Sequence, residues 1–471
     1  MKDGSSTQRQ FDRTLVEGPL TGAVWKLAWP TVLQNIIGGL QGIVDQAMVG
    51  HYVGHTGNAA IGVSLQLFIL VIVFVASIFS GMGVLVARFA GAGELDKLNR
   101  TVYQAFLAAV FMAVGILAPL GYYLAPTLLD MINAAPEVQV EALPYIRIMF
   151  VFSIGMLIFF MMSGALRSAG DARTPLRLGI IMTLLNIMLN VVLIRGFGPI
   201  PAFGTRGAAM GTAIASGCVA VMFLTMLFTD RLVIRFTRSM SFRPDWQIIR
   251  ELFRFGLPTG VQGVVMNLAG LLLLRFIGSL QYSAEAQAAF AVGYSELFSL
   301  VTWTSVGLMG ATAAVAGQNL GAGHPDRSAQ AARVAATIGV TVAAVVGALF
   351  LLIPRQLLAI FGMGEGVAFE LGRQLLAYLA ISGLFVTVAL TYTGGLQGTG
   401  DTRSPLYISI VSQVVVPIGM CTYIQEMRGL TPADIWLAIV LGHMSRALLS
   451  VLRFSQGKWR HIAVDIGSAQ V

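Results

Sequence analysis

Asp45 lies in the run "QNIIGGLQGIVDQAMVG" (34–50), among Ile, Leu, Val and Met. Asn186 and Asn190 stand four residues apart in "MTLLNIMLNVVLI" (182–194), so on a helix they share one face. Thr212 lies in "GAAMGTAIASG" (207–217). An ionisable side chain inside such an apolar span costs roughly 3 kcal/mol on insertion scales, so one that persists there is a functional candidate. A carboxylate can alternate between a free form and a protonated or sodium-bound form. Neighbouring amides and a hydroxyl can bond either form or supply oxygens to sodium. The competing roles are a buried hydrogen-bond hub for Asp45 and helix-to-helix packing for the two amides and Thr212.

The elements that must position these residues are membrane spans. The chain of 471 residues is 56% hydrophobic and 11% charged, with a mean hydropathy of +0.78. A soluble domain carries about 25% charge. Twelve apolar segments are separated by short polar turns: 24–50, 58–90, 98–124, 138–165, 174–196, 207–229, 249–276, 284–318, 328–353, 367–396, 404–424 and 433–455. Most are long enough to cross a bilayer as helices, and the short alternating segments of a membrane β-barrel are absent. At 1.5 Å per residue, Asp45 lies about 28 Å beyond Lys26 and Asn190 about 26 Å beyond Arg173, while Thr212 enters from the opposite side about 8–10 Å deep. The four polar groups therefore converge on one depth.

Charge sets the expected orientation. Of the 30 Lys and Arg, 22 fall on the side of the N-terminus and seven on the other (Arg147, Arg195, Arg206, Arg275, Arg355, Arg373 and Arg428), with Arg446 inside the last span. By the positive-inside rule both termini are expected in the cytoplasm. The net charge of +8 then faces anionic lipid rather than nucleic acid. The first 23 residues lack the parts of a secretory signal, so the first apolar segment is expected to be a retained span. Cys218 and Cys421 fall inside apolar segments and are expected to be core residues, neither a disulfide nor a zinc site.

The stretch "GALRSAGDARTPL" (164–176) returns as "GGLQGTGDTRSPL" (394–406), offset by 230 residues. "GAGELDK" (91–97) returns as "GAGHPDR" (321–327) at the same offset, and "LAWP" ending at Pro30 returns as "FGLP" ending at Pro258. Three markers in one order imply an internal duplication. Each half holds six spans, so the repeats are parallel and related by an axis along the membrane normal. The expected organisation is a cytoplasmic segment 1–23, a six-helix lobe 24–229, a cytoplasmic linker 230–247, a second six-helix lobe 248–455 and a cytoplasmic tail 456–471. In the duplicated turn, Gly170 and Gly400 suit left-handed helix caps. Thr174 and Ser404 are expected as N-caps, with Pro175 and Pro405 at the next position. The turn reads as a tight elbow, with a part in gating as the alternative.

These features together resemble the multidrug and toxic compound extrusion (MATE) family. The likeness is carried by the paired "GDARTP" and "GDTRSP" turns, by "VAGQNLGAG" (315–323) and by the first span "LAWPTVLQNIIGGLQGIVDQAMVG", and it runs over roughly 24–455. It implies an all-α membrane protein of twelve helices in two pseudo-symmetric lobes, exporting organic compounds in exchange for protons or sodium by rocking between access states. It further implies that Asp45 is the coupling carboxylate, that it works beside Asn186, Asn190 and Thr212, and that Pro30 is the hinge of the first span. Some members carry an acid where Asn190 stands. The acids that some members place in the second lobe are missing, with Met266 at one of those positions and Asn267 beside it.

Glu296 in "GYSELFSLVTW" is expected near mid-membrane, contacting a cationic substrate or pairing with Arg275 or Arg446. Gln34, Met266, Asn267 and Glu296 are the substrate-contact candidates. Many of the 21 methionines are read as lipid-facing packing, although such surfaces also suit varied ligands. No ATP-binding loop and no hydrolase or zinc-protease motif appears, so an enzyme is not expected. The reading is an inner-membrane exporter of cationic, amphipathic compounds, monomeric, without cofactor and with no bound metal beyond a transported sodium at Asp45. The alternative is a flippase for a lipid-linked precursor, which should line its cavity with several Arg or Lys.

Overall fold

The computed structural model of the protein describes residues 13–132, 134–229, 232–236, 243–464 and 466. Lys2, Arg9, Arg231 and Arg238 of the inward-facing set lie outside these residues, as do much of the N-terminal segment, the middle of the linker and the end of the tail. The described chain is almost wholly helical, apart from one isolated bridge between Phe197 and Ile200.

Twelve helical spans follow one another among the described residues. They are α1 (Leu20–Tyr52), α2 (His55–Ala92), α3 (Leu95–Met131), α4 (Pro136–Val151 with Ile154–Ser168), α5 (Arg173–Arg195), α6 (Thr205–Phe228), α7 (Trp246–Gly278), α8 (Ser283–Gly321), α9 (Pro325–Leu352), α10 (Gly366–Gly398), α11 (Arg403–Arg428) and α12 (Pro432–Ser455). Ten are single helices long and apolar enough to cross a membrane, and α4 joins them as a pair bent by 51°. The remaining one, α1, has 33 residues. It falls short in apolarity because it carries Lys26, Gln34, Asn35, Gln41, Asp45 and Gln46. The helix richest in candidate chemistry is thus the one that looks least like a lipid-facing span.

One compact unit is built on Leu33–Arg254, and another on Pro19–Val32 with Phe255–Val464. Within the first, glycines set the spacing of α4, α5 and α6. A Cβ at Gly155 would meet the backbone N of Gly217 at 2.6 Å, and one at Gly207 would meet the carbonyl of Leu193 at 2.5 Å. Backbones this close need residues without side chains, the usual device for packing helices where lipid offers no hydrophobic drive. The second unit uses the same device. Gly394 and Gly398 of α10 lie against the carbonyls of Met309 and Ala313 of α8, where a Cβ would approach to 2.2 and 2.1 Å. Three π-turns interrupt the helices: Phe111–Leu117 in α3, Ala291–Leu297 in α8 and Ile410–Val415 in α11.

The duplicated turn closes twice by the same bonds. Gly170 (φ 102°) and Gly400 (φ 97°) are left-handed. In the first, Gly170 N donates to Arg167 O at 3.0 Å and Asp171 N to Leu166 O at 2.8 Å. In the second, Gly400 N donates to Gln397 O at 3.0 Å and Asp401 N to Leu396 O at 2.9 Å. The expected N-caps at Thr174 and Ser404 are corrected. α5 and α11 begin at Arg173 and Arg403 with Ala172 and Thr402 at the N-cap positions, and first-turn donors are taken by the aspartates one residue earlier, Asp171 and Asp401. Asp171 accepts from Thr174 N at 3.0 Å and Thr174 Oγ1 at 2.6 Å, and Asp401 from Ser404 N at 3.2 Å and Ser404 Oγ at 2.8 Å. A carboxylate has two acceptor oxygens, and here each takes one of the two donors. The second elbow has one further tie, from Arg453 Nε to Asp401 Oδ2 at 2.9 Å.

Candidate functional site

Asp45 sits half-buried on α1, facing α5. Asn186 and Asn190 of α5 are fully buried. Asn190 Nδ2 donates to Asp45 Oδ1 at 2.7 Å. The Asn186 amide is satisfied on both sides when its nitrogen faces Asp45. It then donates to Asp45 Oδ1 at 2.9 Å, while its oxygen accepts from Thr212 N at 3.2 Å and Thr212 Oγ1 at 3.1 Å. One carboxylate oxygen therefore takes two amide donors, and Thr212 anchors the deeper amide. Among the described residues, no donor reaches Asp45 Oδ2. The depths reckoned along the sequence thus correspond to a bonded cluster of Asp45, Asn186, Asn190 and Thr212.

The sequence reading missed several members of this cluster. Gln41 lies one turn before Asp45 and accepts from Thr183 Oγ1 of α5 at 2.8 Å. Tyr145 of α4 is buried within electrostatic reach of Asp45. Glu141, one turn earlier on α4, accepts a short hydrogen bond from Thr205 at the start of α6. Gly211 is the least visible. A Cβ there would stand 2.1 Å from Asn190 Oδ1, so only glycine leaves room for the amide. The i, i+4 spacing of Gln41 to Asp45 and of Glu141 to Tyr145 was the available signal.

The other candidates do not join the cluster. Pro30 lies inside the unbroken helix α1. Gln34 packs beside Gly179 of α5, and its Oε1 is buried without a partner. In the other unit Met266 is half-buried, and Asn267 is exposed and turns back on its own helix, donating to Gly263 O at 2.9 Å. Glu296 is exposed on the π-turn of α8. Among the described residues it pairs with neither Arg275 nor Arg446, which corrects that alternative. Cys421 is buried as expected, whereas Cys218 is exposed on α6. By the proline register, the place of Asp45 in the second repeat is taken by Leu273. Only one repeat carries the carboxylate.

Comparison with known proteins adds to this geometry. The family model MatE matches residues 30–192 and, a second time, residues 258–422. The chain is 28% identical over 447 residues to a probable multidrug resistance protein NorM of Thermotoga maritima, covering 93% of each chain. It is 27% identical over 439 residues to the multidrug resistance protein MdtK of Pectobacterium atrosepticum, covering 91% of this chain and 93% of that one. The outward-facing structure of a multidrug resistance MATE family transporter of the MOP superfamily superposes with a TM-score of 0.85 at 22% identity, over 94% of this chain and 98% of that one. The double match falls on the two repeats.

Proposed function

The chain belongs to the MatE family, whose members are membrane transporters rather than enzymes, and on that premise we propose that it exports organic, drug-like cations in exchange for protons taken up at Asp45. The observation that carries this reading is the bond from Asn190 Nδ2 to Asp45 Oδ1 at 2.7 Å, beside an Oδ2 that no described donor reaches. The donors favour the charged form of the carboxylate, and Oδ2 is the oxygen left open to a proton. A sodium ion would need carbonyl oxygens turned toward the carboxylate, since cations of this kind are held by oxygen ligands. Asn190 presents its nitrogen to Asp45, so sodium coupling requires that amide to turn, and proton coupling does not.

The flippase alternative is not favoured. Its anionic cargo calls for several basic side chains in the spans, and the described basic residues lie mainly at helix ends. Pro30 serves as the hinge in this reading. A proline removes one backbone hydrogen bond and permits bending between access states. Both termini face the cytoplasm, as the 22 to seven distribution of Lys and Arg favours.

The test is gradient-driven efflux of a fluorescent organic cation from proteoliposomes, with proton and sodium gradients imposed separately. Asp45→Asn keeps the shape of the side chain but exchanges no proton. We expect it to lose gradient-driven export while its thermal stability stays near wild type. Undiminished proton-driven export by Asp45→Asn, or export driven by sodium alone in wild type, would overturn the assignment.

A further inference from the structure

The second unit contains a charge that nothing in it balances. Arg446, in the middle of α12, is 5% exposed, and its Nε is buried without an acceptor. Among the described residues no oxygen accepts from its guanidinium. The described acids of this unit that form ion pairs do so near helix ends, Asp326 with Arg460, Glu365 with Arg355, Glu370 with Arg373, Asp401 with Arg453 and Asp434 with Arg428. A guanidinium cannot shed its proton. An unpaired charge within a membrane span is costly enough that such residues normally pair or serve a pathway.

Its surroundings are built rather than accidental. A column of rings runs down the face of α8 against α12. Phe290 stacks on Trp436 and on Tyr294, Tyr294 leans on Phe298, and Phe298 stacks on His443 at 6.2 Å between centroids. His443, one turn before Arg446, shares a 2.5 Å hydrogen bond with Ser382 of α10. Tyr294 lies within electrostatic reach of the guanidinium. An orphaned group beside Gly442, one turn before Arg446, is a donor too, Gln413 Nε2, buried without an acceptor. Tyr294 and Gln413 each sit in a π-turn, a departure from helix geometry often found at functional sites.

We propose that this cluster is an anion site: Arg446, with Tyr294 and His443 close by, receives one monovalent anion, a carboxylate or a halide. The single guanidinium fixes the charge at one. Its planar fork matches a carboxylate through two parallel N–H bonds. The stacked rings beside it suit a carboxylate carried on an aromatic body. If the anion is the carboxylate of a transported compound, the cargo includes zwitterions as well as simple cations, and that extension rests on the exporter reading above. The binding chemistry does not.

The test reads binding without transport, so its outcome stands whichever way the efflux experiment falls. Purified full-length protein in neutral detergent is titrated with chloride, with benzoate and with benzamide, at ionic strength held by sulfate, while the thermal unfolding midpoint is followed. A saturable rise with chloride or benzoate, and none with benzamide, is expected for wild type. Benzoate binding tighter than chloride identifies an organic carboxylate as the ligand, and a response to chloride alone identifies a halide. Arg446→Gln should weaken the response at least tenfold. No saturable response in wild type, or an equal response in Arg446→Gln, overturns the proposal. Should that variant fail to fold, Arg446→Lys keeps the charge and loses the fork. An affinity at least threefold weaker is expected from it, and an unchanged affinity overturns the assignment.

Discussion

Gly211→Ala is the most searching test of the Asp45 cluster, because it adds one methyl group and removes no polar atom. The new Cβ would stand 2.1 Å from Asn190 Oδ1 and 3.2 Å from its Cγ. An ordinary contact is about 3.5 Å, so the amide must rotate or retreat by about 1 Å. Either movement spoils the 2.7 Å bond from Asn190 Nδ2 to Asp45. A hydrogen bond to a charged acceptor contributes about 1.5–3 kcal/mol. At 1.36 kcal/mol per factor of ten, its loss predicts a fall of about 10- to 100-fold in coupled export. Global stability should change little. Overpacking costs about 1–3 kcal/mol, and the gain in helix propensity from glycine to alanine returns up to about 1 kcal/mol. Gly217→Ala is the control, since a Cβ there meets nothing within 4 Å on the same helix. Proton-driven efflux of a fluorescent cation from proteoliposomes is the assay, repeated in an Asn190→Ala background. If the methyl acts through the amide, its effect should vanish there. Wild-type efflux by Gly211→Ala, or an equal defect with Asn190 already removed, would refute the reasoning.

Three other outcomes are expected. Asn190→Asp keeps an oxygen within reach of Asp45 and should retain part of the efflux that Asp45→Asn loses, with a shifted pH profile as the readout. Pro30→Ala should insert and fold normally but slow transport several-fold, because α1 regains a backbone bond at its hinge, and stopped-flow efflux rates check this. Cysteines placed at Gly54, Pro201 and Gly364 should react with an impermeant reagent from outside sealed right-side-out vesicles. One placed at Trp246, at the end of the linker, should not.

Much of this organisation could be read in the sequence, for definite physical reasons. A span must be apolar along most of its length, so the segment boundaries were visible as changes of composition. A left-handed turn needs glycine, so Gly170 and Gly400 announced themselves. Depth along a helix is a matter of counting, which is why Asp45, Asn186, Asn190 and Thr212 could be set at one level. What counting does not supply is rotation about the helix axis. Tyr145, Thr183 and Gly211 could not be added to the cluster, because their relevance depends on which face of one helix meets which face of another. The exposed side of Cys218 was hidden for the same reason. The cap expected at Thr174 gives way to Asp171, three residues earlier, whose carboxylate has the greater acceptor capacity. Arg446 was legible as a charge within a span, but its lack of a partner is visible only once the acids around it are placed.

The two elbows differ in when they can be completed. Every bond that closes the first, from Leu166 to Thr174, lies within nine residues of chain. Those bonds depend on nothing made later, so they can form as α5 follows α4 out of the ribosome. The second closes by the same local bonds but is also tied by Arg453, 52 residues further along. Its final tether therefore arrives only with the last span. Two copies of one turn thus act at different moments of synthesis, the earlier fixing a hairpin at once and the later fastened by the end of the chain.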